Sequence, residues 1–223
     1  MHFSSSEISP ETAYKLLVSI IIPRPIAFVT SMDLDGNLNG APFSFFNAMG
    51  SEPPVVVLGF QPNKDGSQKD TPNNILSTQE FVVNIVDEPL AHQMNICAGS
   101  LPPDVDEIAL AKIETAPSLG VAPPRIITSP ASMECRLLET VSLGGGGKII
   151  MGEILHFHLR EDTVIQMDPL RIDINKLAPI SRLNGAFYSR ITDQFKIERP
   201  QCCLLYTSPS PRDRTRSRMP SSA

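Results

Sequence analysis

The sequence lacks the features that mark membrane, secreted and nucleic-acid-binding proteins. No segment contains eighteen consecutive apolar residues, so no membrane-spanning helix is predicted. The N-terminal segment MHFSSSEISPE has neither a basic region nor an apolar core, so no secretory signal is predicted. Acidic residues outnumber basic ones by 24 to 19, whereas nucleic-acid-binding proteins usually carry a basic face. We expect a globular cytoplasmic protein without nucleic-acid or membrane partners.

Cysteine is scarce and dispersed along the chain. The four cysteines are Cys97, Cys135, Cys202 and Cys203, and they show neither CxxC nor metal-ligand spacing. This pattern argues against a disulfide framework and favours reduced thiols in a cytoplasmic protein.

The common nucleotide-binding motifs are absent as well. Residues 144–147 are four glycines followed by Lys148, but a phosphate-binding loop needs Ser or Thr after the lysine and then a helix. Ile149 and Ile150 follow instead, in a segment with strand character. No GxGxxG motif lies between a strand and a helix, so a Rossmann dinucleotide domain is not predicted.

Two histidines deserve consideration as metal ligands. His156 and His158 lie two residues apart on a predicted strand, so their side chains share one face. A zinc site there would need further ligands, and the other histidines in the sequence are His2 and His92. We therefore favour a structural role for the pair and predict no metal.

The C-terminal segment differs in character from the rest of the chain. From Cys203 onward it reads CLLYTSPSPRDRTRSRMPSSA, which is rich in Ser, Pro and Arg and has no hydrophobic period. It also resembles, codon by codon, the in-frame translation of a common sequencing-library adapter. We expect one domain over residues 1–201 and a foreign, disordered tail over residues 202–223. A natural disordered tail is the alternative.

Three strands are predicted in the first third of the chain. Residues 26–31 are an apolar, β-branched run, Asp35-Gly36 marks a hairpin turn, and residues 55–60 form the third strand. The middle strand, residues 39–46, is unusual because Pro42 cannot donate to a ladder and small or polar residues separate its phenylalanines. It is either an edge strand with its phenylalanines in the core or a strand beside a ligand.

The remaining pattern alternates between short helices and strands. Ser9-Pro10-Glu11 is typical of a helix start, and Thr71-Pro72 repeats the signal, so a helix is predicted over residues 72–79 with Thr71 as its N-cap. Further predictions are a helix over residues 89–98, a partly helical excursion over 101–124, strands over 81–86, 133–143, 149–160, 172–174 and 191–197, and a hairpin turn at 144–147. Many short strands with little βαβ alternation predict a mainly β fold, an antiparallel barrel with helices around it.

Two segments have the chemistry of a phosphate site. Residues 69–74, KDTPNN, place backbone N–H groups at a helix N-terminus beside a lysine and hydrogen-bond donors. Thr30 and Ser31 place two hydroxyl groups at the end of a strand. Taken singly, an ordinary capped helix and an ordinary turn explain these residues better than a ligand does.

Taken in order, these segments resemble the flavin reductase-like, FMN-binding split-barrel family, which includes flavoredoxin-like proteins. The matching segments are Arg24-Pro25-Ile26-Ala27, Thr30-Ser31, NGAPFSFFN over residues 39–47, Pro53-Pro54, Lys69-Asp70-Thr71-x-x-Asn74, Phe81-Val82-Val83-Asn84, and Arg182-Leu183-Asn184-Gly185 with Tyr188. The resemblance spans residues 10–200, and its specificity lies in the order and spacing of the segments. Asn184 stands where the family has Gly, and Ser31 stands where Thr is commoner.

The resemblance implies a six-stranded antiparallel Greek-key split barrel with peripheral helices, paired as a homodimer with FMN near the interface. The residues that would hold the phosphate are Thr30, Ser31, Lys69, Thr71 and Asn74, with Asp70 in the same cofactor-binding segment. The residues that would line the isoalloxazine edge are Ala41, Pro42, Phe43, Ser44 and Asn47.

The same resemblance implies an activity. The expected protein is an NAD(P)H-dependent flavin reductase, in which the flavin carries the hydride chemistry and no catalytic side chain is required. The alternative is a non-catalytic FMN electron carrier that takes electrons from a redox partner protein. A barrel that has lost its flavin is the least favoured interpretation.

Overall fold

The computed structural model describes residues 1–63, 65–99 and 105–199. The helices are α1 (Pro10–Ile20), α2 (Asp70–Thr78), α3 (Ala91–Ile96), α4 (Glu107–Leu110) and α5 (Ile174–Leu177), with single 3₁₀ turns at Gly144–Gly146 and Glu161–Thr163. The strands are β1 (Arg24–Pro25), β2 (Ala27–Met32), β3 (Leu38–Phe43), β4 (Phe46–Ser51), β5 (Pro54–Phe60), β6 (Glu80–Ile85), β7 (Thr115–Ala116), β8 (Arg125–Ile126), β9 (Ala131–Ser142), β10 (Lys148–Leu159), β11 (Val164–Met167), β12 (Leu170–Ile172), β13 (Ser181–Arg182) and β14 (Tyr188–Ser189).

The largest sheet is antiparallel throughout, and its strand order is β3-β2-β6-β9-β10-β5-β4. β3 and β4 stand at opposite edges of this order, yet only Ser44 and Phe45 separate them in the chain. Because the three peptide steps from Phe43 to Phe46 reach at most about 11 Å, the two edges lie close together and the sheet curls into a barrel.

The predicted fold class, a mainly β split barrel with peripheral helices, is confirmed. The sheet has seven strands rather than the six expected because β3 and β4 are two halves of one chain segment that bends at Ser44-Phe45. Three smaller sheets lie beside the barrel, made of β1-β13-β14, β11-β12 and β7-β8.

The core lies on both sides of β2, which explains the continuous apolar run of that strand. Ala27 and Val29 face the barrel interior and belong to the core cluster inside it. Phe28 faces the other way and packs with Met94 of α3 and Ile108 of α4. The barrel therefore has one core within the sheet and a second core between the sheet and these two helices.

The helix starts follow from local capping, with one correction. Ser9 caps α1, and its hydroxyl oxygen accepts a hydrogen bond from Thr12 N at 3.2 Å, as predicted. α2 begins at Asp70 with Lys69 in the N-cap position, so the prediction of Thr71 as the N-cap is wrong. The Thr71 hydroxyl instead accepts from the Asn39 side chain, a long-range contact that local sequence does not indicate.

The second half of the chain confirms the long hairpin and corrects two predicted strands. The glycine run at residues 144–147 links β9 to β10, as predicted. The predicted strand over residues 172–174 is interrupted because Asp173 caps α5 and accepts from Asn175 N and Lys176 N. The predicted strand over residues 191–197 does not form, and β14 ends at Ser189.

The chain divides into two units, Met1–Thr192 and Asp193–Ala223. The first unit contains every helix and strand given above, and the described part of the second, residues 193–199, contains neither. The predicted foreign tail, residues 202–223 with Cys202 and Cys203, lies outside the described residues. Among the helices of the described ranges, none is long and apolar enough to cross a membrane.

A fully buried acid on β9 anchors the loop that precedes β8. Glu134 Oε1 accepts from Leu119 N at 2.8 Å and from His158 Nε2 at 2.6 Å, and its Oε2 accepts from Gly120 N at 2.6 Å. Burial alone raises the pKa of Glu134, but these donors outweigh it and hold the pKa below the ordinary value of 4.5. His158 thus has a structural partner, and residues 1–63, 65–99 and 105–199 contain no cluster of three potential metal ligands.

We expect Glu134→Gln to lower the free energy of unfolding by about 1–3 kcal/mol, because its amide NH₂ would face a backbone or histidine donor in a buried site. Urea unfolding at pH 7 measures the loss. Glu139→Gln, an exposed position on the same strand, is the matched control and should leave stability within about 0.5 kcal/mol of wild type.

The same pair of proteins tests the pH dependence. Because the folded pKa of Glu134 is depressed, its stabilising contribution is present above its ordinary value of 4.5 and is lost as pH falls through the lower folded value. The difference between wild type and Glu134→Gln should therefore shrink as pH is lowered below 4.5. A difference that stays constant down to acid unfolding would contradict this assignment.

Candidate functional site

A cleft of about 650 Å³ opens between β3, the start of α2 and the segment around α4. Its lining residues are Asn39, Ala41, Pro42, Phe43, Pro62, Asn63, Asp65, Lys69, Asp70, Thr71, Cys97, Ala98, Gly99 and Glu107. Six of these are among the predicted cofactor-binding residues, namely Ala41, Pro42, Phe43, Lys69, Asp70 and Thr71.

One wall of the cleft is the edge strand β3. In the described part of the chain β2 is its one strand partner, so Pro42, which lacks an N–H, is tolerated on the other side. Phe43 packs edge-on against Phe60 with ring centroids 4.6 Å apart, which ties this end of the strand to the barrel core. The predicted edge position is confirmed, although Phe43 is only partly buried against the core, and the same strand also lines a cleft large enough for a small molecule.

A buried polar cluster lies at the end of the cleft next to α2. Asn39 Nδ2 donates to Thr71 Oγ1 at 2.8 Å and to Ser31 Oγ at 3.3 Å. Asn74 Nδ2 also donates to Ser31 Oγ, at 3.3 Å. Both hydroxyl oxygens thus act as acceptors, and among the described residues no acceptor is recorded for the proton of either hydroxyl. The cluster therefore has donor capacity left for an anionic ligand.

The start of α2 adds positive character to the same end. Lys69 is the N-cap residue and its side chain does not cap the helix, and the positive end of the helix dipole lies at Lys69, Asp70 and Thr71, which line the cleft. Lys69 Nζ lies 3.4 Å from Asn63 Oδ1 in the cleft lining. A lysine, uncapped amides and a buried hydroxyl make this end suited to a phosphate group.

The opposite lining carries an acid that the sequence analysis missed. Glu107 Oε2 accepts from Gly40 N at 3.4 Å, across the free edge of β3. Burial, with further contributions from Asp70 and Asp106, raises the pKa of Glu107 above its ordinary value. A Cβ on Gly40 would lie only 2.4 Å from Ile108 Cδ1, so α4 packs directly on the strand and brings Glu107 to its edge.

Five predicted cofactor-binding residues do not line the cleft. Ser31 and Asn74 lie directly behind Asn39 and Thr71, in the polar cluster. Thr30 lies on the opposite face of β2 from Ser31, since strand neighbours alternate, and its hydroxyl donates to Pro124 O at 2.6 Å. The structure therefore separates Thr30 from the other predicted phosphate ligands.

Ser44 and Asn47, also predicted at the ring edge, are not among the residues that line this cleft. Ser44 is at the bend between β3 and β4, where its hydroxyl accepts from Arg24 Nε at 3.2 Å. Asn47 is exposed on β4, and its side-chain oxygen accepts from the neighbouring Ala48 N. Both residues follow Phe43, the last residue of β3 that lines the cleft.

Comparison with known proteins gives consistent results. The model of the flavin reductase like domain matches residues 19–171. An uncharacterized protein from Aquifex aeolicus is 37% identical over 198 residues, which are 89% of this chain and 100% of that protein.

Solved structures with similar sequences are also found. The nitrilotriacetate monooxygenase component B from Bacillus cereus has a TM-score of 0.83 and 37% identity, covering 88% of this chain and 98% of that chain. The 2-nitrobenzoate 2-nitroreductase NbaA from Pseudomonas fluorescens has a TM-score of 0.81 and 31% identity, covering 95% of this chain and 100% of that chain.

The thiol in the cleft lining should be unreactive in the folded protein. Cys97 is buried, its Sγ donates to Glu107 O at 3.4 Å, and burial followed by the nearby Glu107 and Asp106 carboxylates raises its pKa to about 12. We expect no alkylation of Cys97 by iodoacetamide at pH 8, because the thiolate is the reactive form. Peptide mass spectrometry measures the extent of alkylation, with urea-unfolded protein as the positive control. Rapid labelling of Cys97 in the folded chain would contradict the raised pKa.

Proposed function

This chain belongs to the flavin reductase-like family, and on that premise we propose that it is an FMN-binding oxidoreductase that accepts hydride from NADH or NADPH. The observation that carries the proposal is the cleft itself. It combines a phosphate-suited end at α2 with a wall of small and apolar residues on β3. A mononucleotide cofactor with a phosphate at one end and a flat ring at the other matches this division.

The phosphate would be held where α2 begins. Lys69 supplies the cation, Thr71 supplies a hydroxyl whose oxygen is already occupied by Asn39, and the first-turn N–H groups are not capped by a side chain. Ser31 and Asn74 would act from behind by fixing Asn39 and the start of the helix. The carboxylate of Asp70 lies in the same lining, so the attraction of the lysine and the amides must outweigh its repulsion of the phosphate.

The ring edge would lie along the free side of β3. Gly40 turns its N–H away from β2 and towards Glu107, so its carbonyl oxygen, and that of Pro42 two residues on, face the same side. Ala41 and Pro42 carry no long side chain that would keep a ring from this backbone. Backbone acceptors on an unpaired edge suit a ring that carries an N–H group.

The bound flavin supplies the hydride-accepting chemistry, and this chain supplies position and electrostatics. We assign no catalytic side chain, and the residues of the cleft bind, orient and shield the cofactor. Phe43, held by Phe60 in the barrel core, gives the ring end of the cleft an apolar wall that excludes water.

A homodimer is part of the proposal. An apolar groove runs beside β4, lined by residues that include Phe46, Val55, Met133 and Phe157. Phe157 on β10 is 60% exposed, and Met49 on β4 is 62% exposed. Exposed apolar groups grouped in this way are typical of a surface that another protein covers.

Visible absorption spectroscopy tests the proposed function. We expect the purified chain to retain added FMN through gel filtration, in a peak of dimeric size, and NADH or NADPH to bleach the flavin bands under anaerobic conditions. Retention without bleaching by either nicotinamide would favour the electron carrier instead. A folded protein that retains no FMN would contradict the proposal.

Replacement of the cleft lysine tests the phosphate assignment. We expect Lys69→Ala to weaken FMN binding by about 1.5–3 kcal/mol, because a charge-assisted hydrogen bond to the phosphate is lost. Fluorescence titration measures the affinity. Lys15→Ala, which removes an exposed lysine paired with Glu11 on α1, is the matched control and should bind like wild type. Equal affinity of the two variants would remove Lys69 from the site.

A further inference from the structure

Arg24 is a buried arginine that joins three separate parts of the chain. Its side chain is in β1 and is 5% exposed. Nη1 donates to Val18 O at 2.7 Å and to Ile21 O at 3.2 Å, at the end of α1. Nη2 donates to Leu183 O at 2.9 Å, and Nε donates to Ser44 Oγ at 3.2 Å.

The charge of this side chain is not matched by a carboxylate. In the described ranges every recorded ion pair involves other residues, and all four acceptors of Arg24 are carbonyl or hydroxyl oxygens. The negative end of the α1 dipole provides partial compensation. A buried guanidinium is costly, and an apolar side chain of similar size would avoid that cost. The hydrogen bonds of Arg24 hold three chain segments together, which an apolar side chain could not do.

One of these segments is the bend that follows the edge strand β3. β3 has a strand partner on only one side, so the other side depends on individual contacts. Two such contacts flank the cleft wall: Glu107 holds Gly40 N before it, and Arg24 holds Ser44 after it. The backbone of Ala41, Pro42 and Phe43 lies between these two points.

We propose that Arg24 is a positioning residue for the cleft, which fixes the bend at Ser44 and thereby the backbone against which the flavin ring lies. The inference rests on the proposed function for the identity of the ligand. Arg24 touches neither the cleft nor a ligand there and acts through Ser44 and β3.

The most selective test removes only the contact to the bend. Ser44→Ala leaves the three carbonyl contacts of Arg24 in place, so the end of α1 and the segment at Leu183 keep their anchor. We expect FMN affinity to fall about tenfold, as for the loss of one hydrogen bond to a charged group. In the flavin-free protein, amide hydrogen exchange in peptides covering residues 38–46 should become faster.

The matched control is Ser129→Ala. Ser129 is buried, and its Oγ lies within hydrogen-bonding distance of Ile85 O at 2.8 Å and Ala131 O at 2.7 Å, so this change also deletes a buried serine contact but away from the cleft. It should lower the melting temperature without altering FMN affinity or exchange in residues 38–46. Ser44→Thr keeps the hydroxyl and should restore both properties to within about twofold of wild type.

The outcomes separate this inference from the proposed function. If wild-type protein binds no FMN, the proposed function fails, and exchange in residues 38–46 still decides the role of Arg24. If Ser44→Ala shows wild-type exchange there, the positioning role is overturned whatever the ligand is. Arg24→Met, if it folds, should show the same faster exchange in residues 38–46. A loss of FMN affinity smaller than that of Ser44→Ala would likewise overturn the role.

Discussion

Closure of the barrel depends on one constraint: the two edge strands of the sheet are consecutive in the chain. β3 and β4 are joined by Ser44 and Phe45 alone, so the sheet cannot lie open. All six residues of β3 pair with β2, and in the described ranges no strand pairs with its other edge. The cleft is a direct result, because a strand with a free edge faces the start of α2 and the segment around α4.

The polar groups of the cleft are arranged by contacts that are distant in sequence. Asn39 on β3 joins Ser31 on β2 to Thr71 on α2, and Glu107 reaches Gly40 from the far side. These side chains join strand, helix and loop, so they stabilise the barrel as well as the proposed site. If these contacts hold the proposed site in place before a ligand binds, less conformational entropy is lost on binding.

The fold class and several elements could be predicted from local patterns. The residues next to Ser9 and those at 144–147 are enough to predict the helix cap and the hairpin, and many short strands predict the mainly β barrel. The start of α2 could not be predicted, because the hydroxyl of Thr71 is used by Asn39 and not by the helix. Strand alternation alone would have separated Thr30 from Ser31. The role of Glu107 was not predictable, since it acts on Gly40 across a long loop.

The free edge of β3 also bears on association between chains. An unpaired strand edge is a template on which a strand from another molecule can add, and this is a common route to aggregation. Here Pro42 offers no N–H, and the N–H of Gly40 is occupied by Glu107. A foreign strand would find two successive outward donor positions blocked, whereas a small molecule needs only the remaining carbonyl oxygens. The edge that we propose for ligand binding is thereby protected from β-sheet polymerisation.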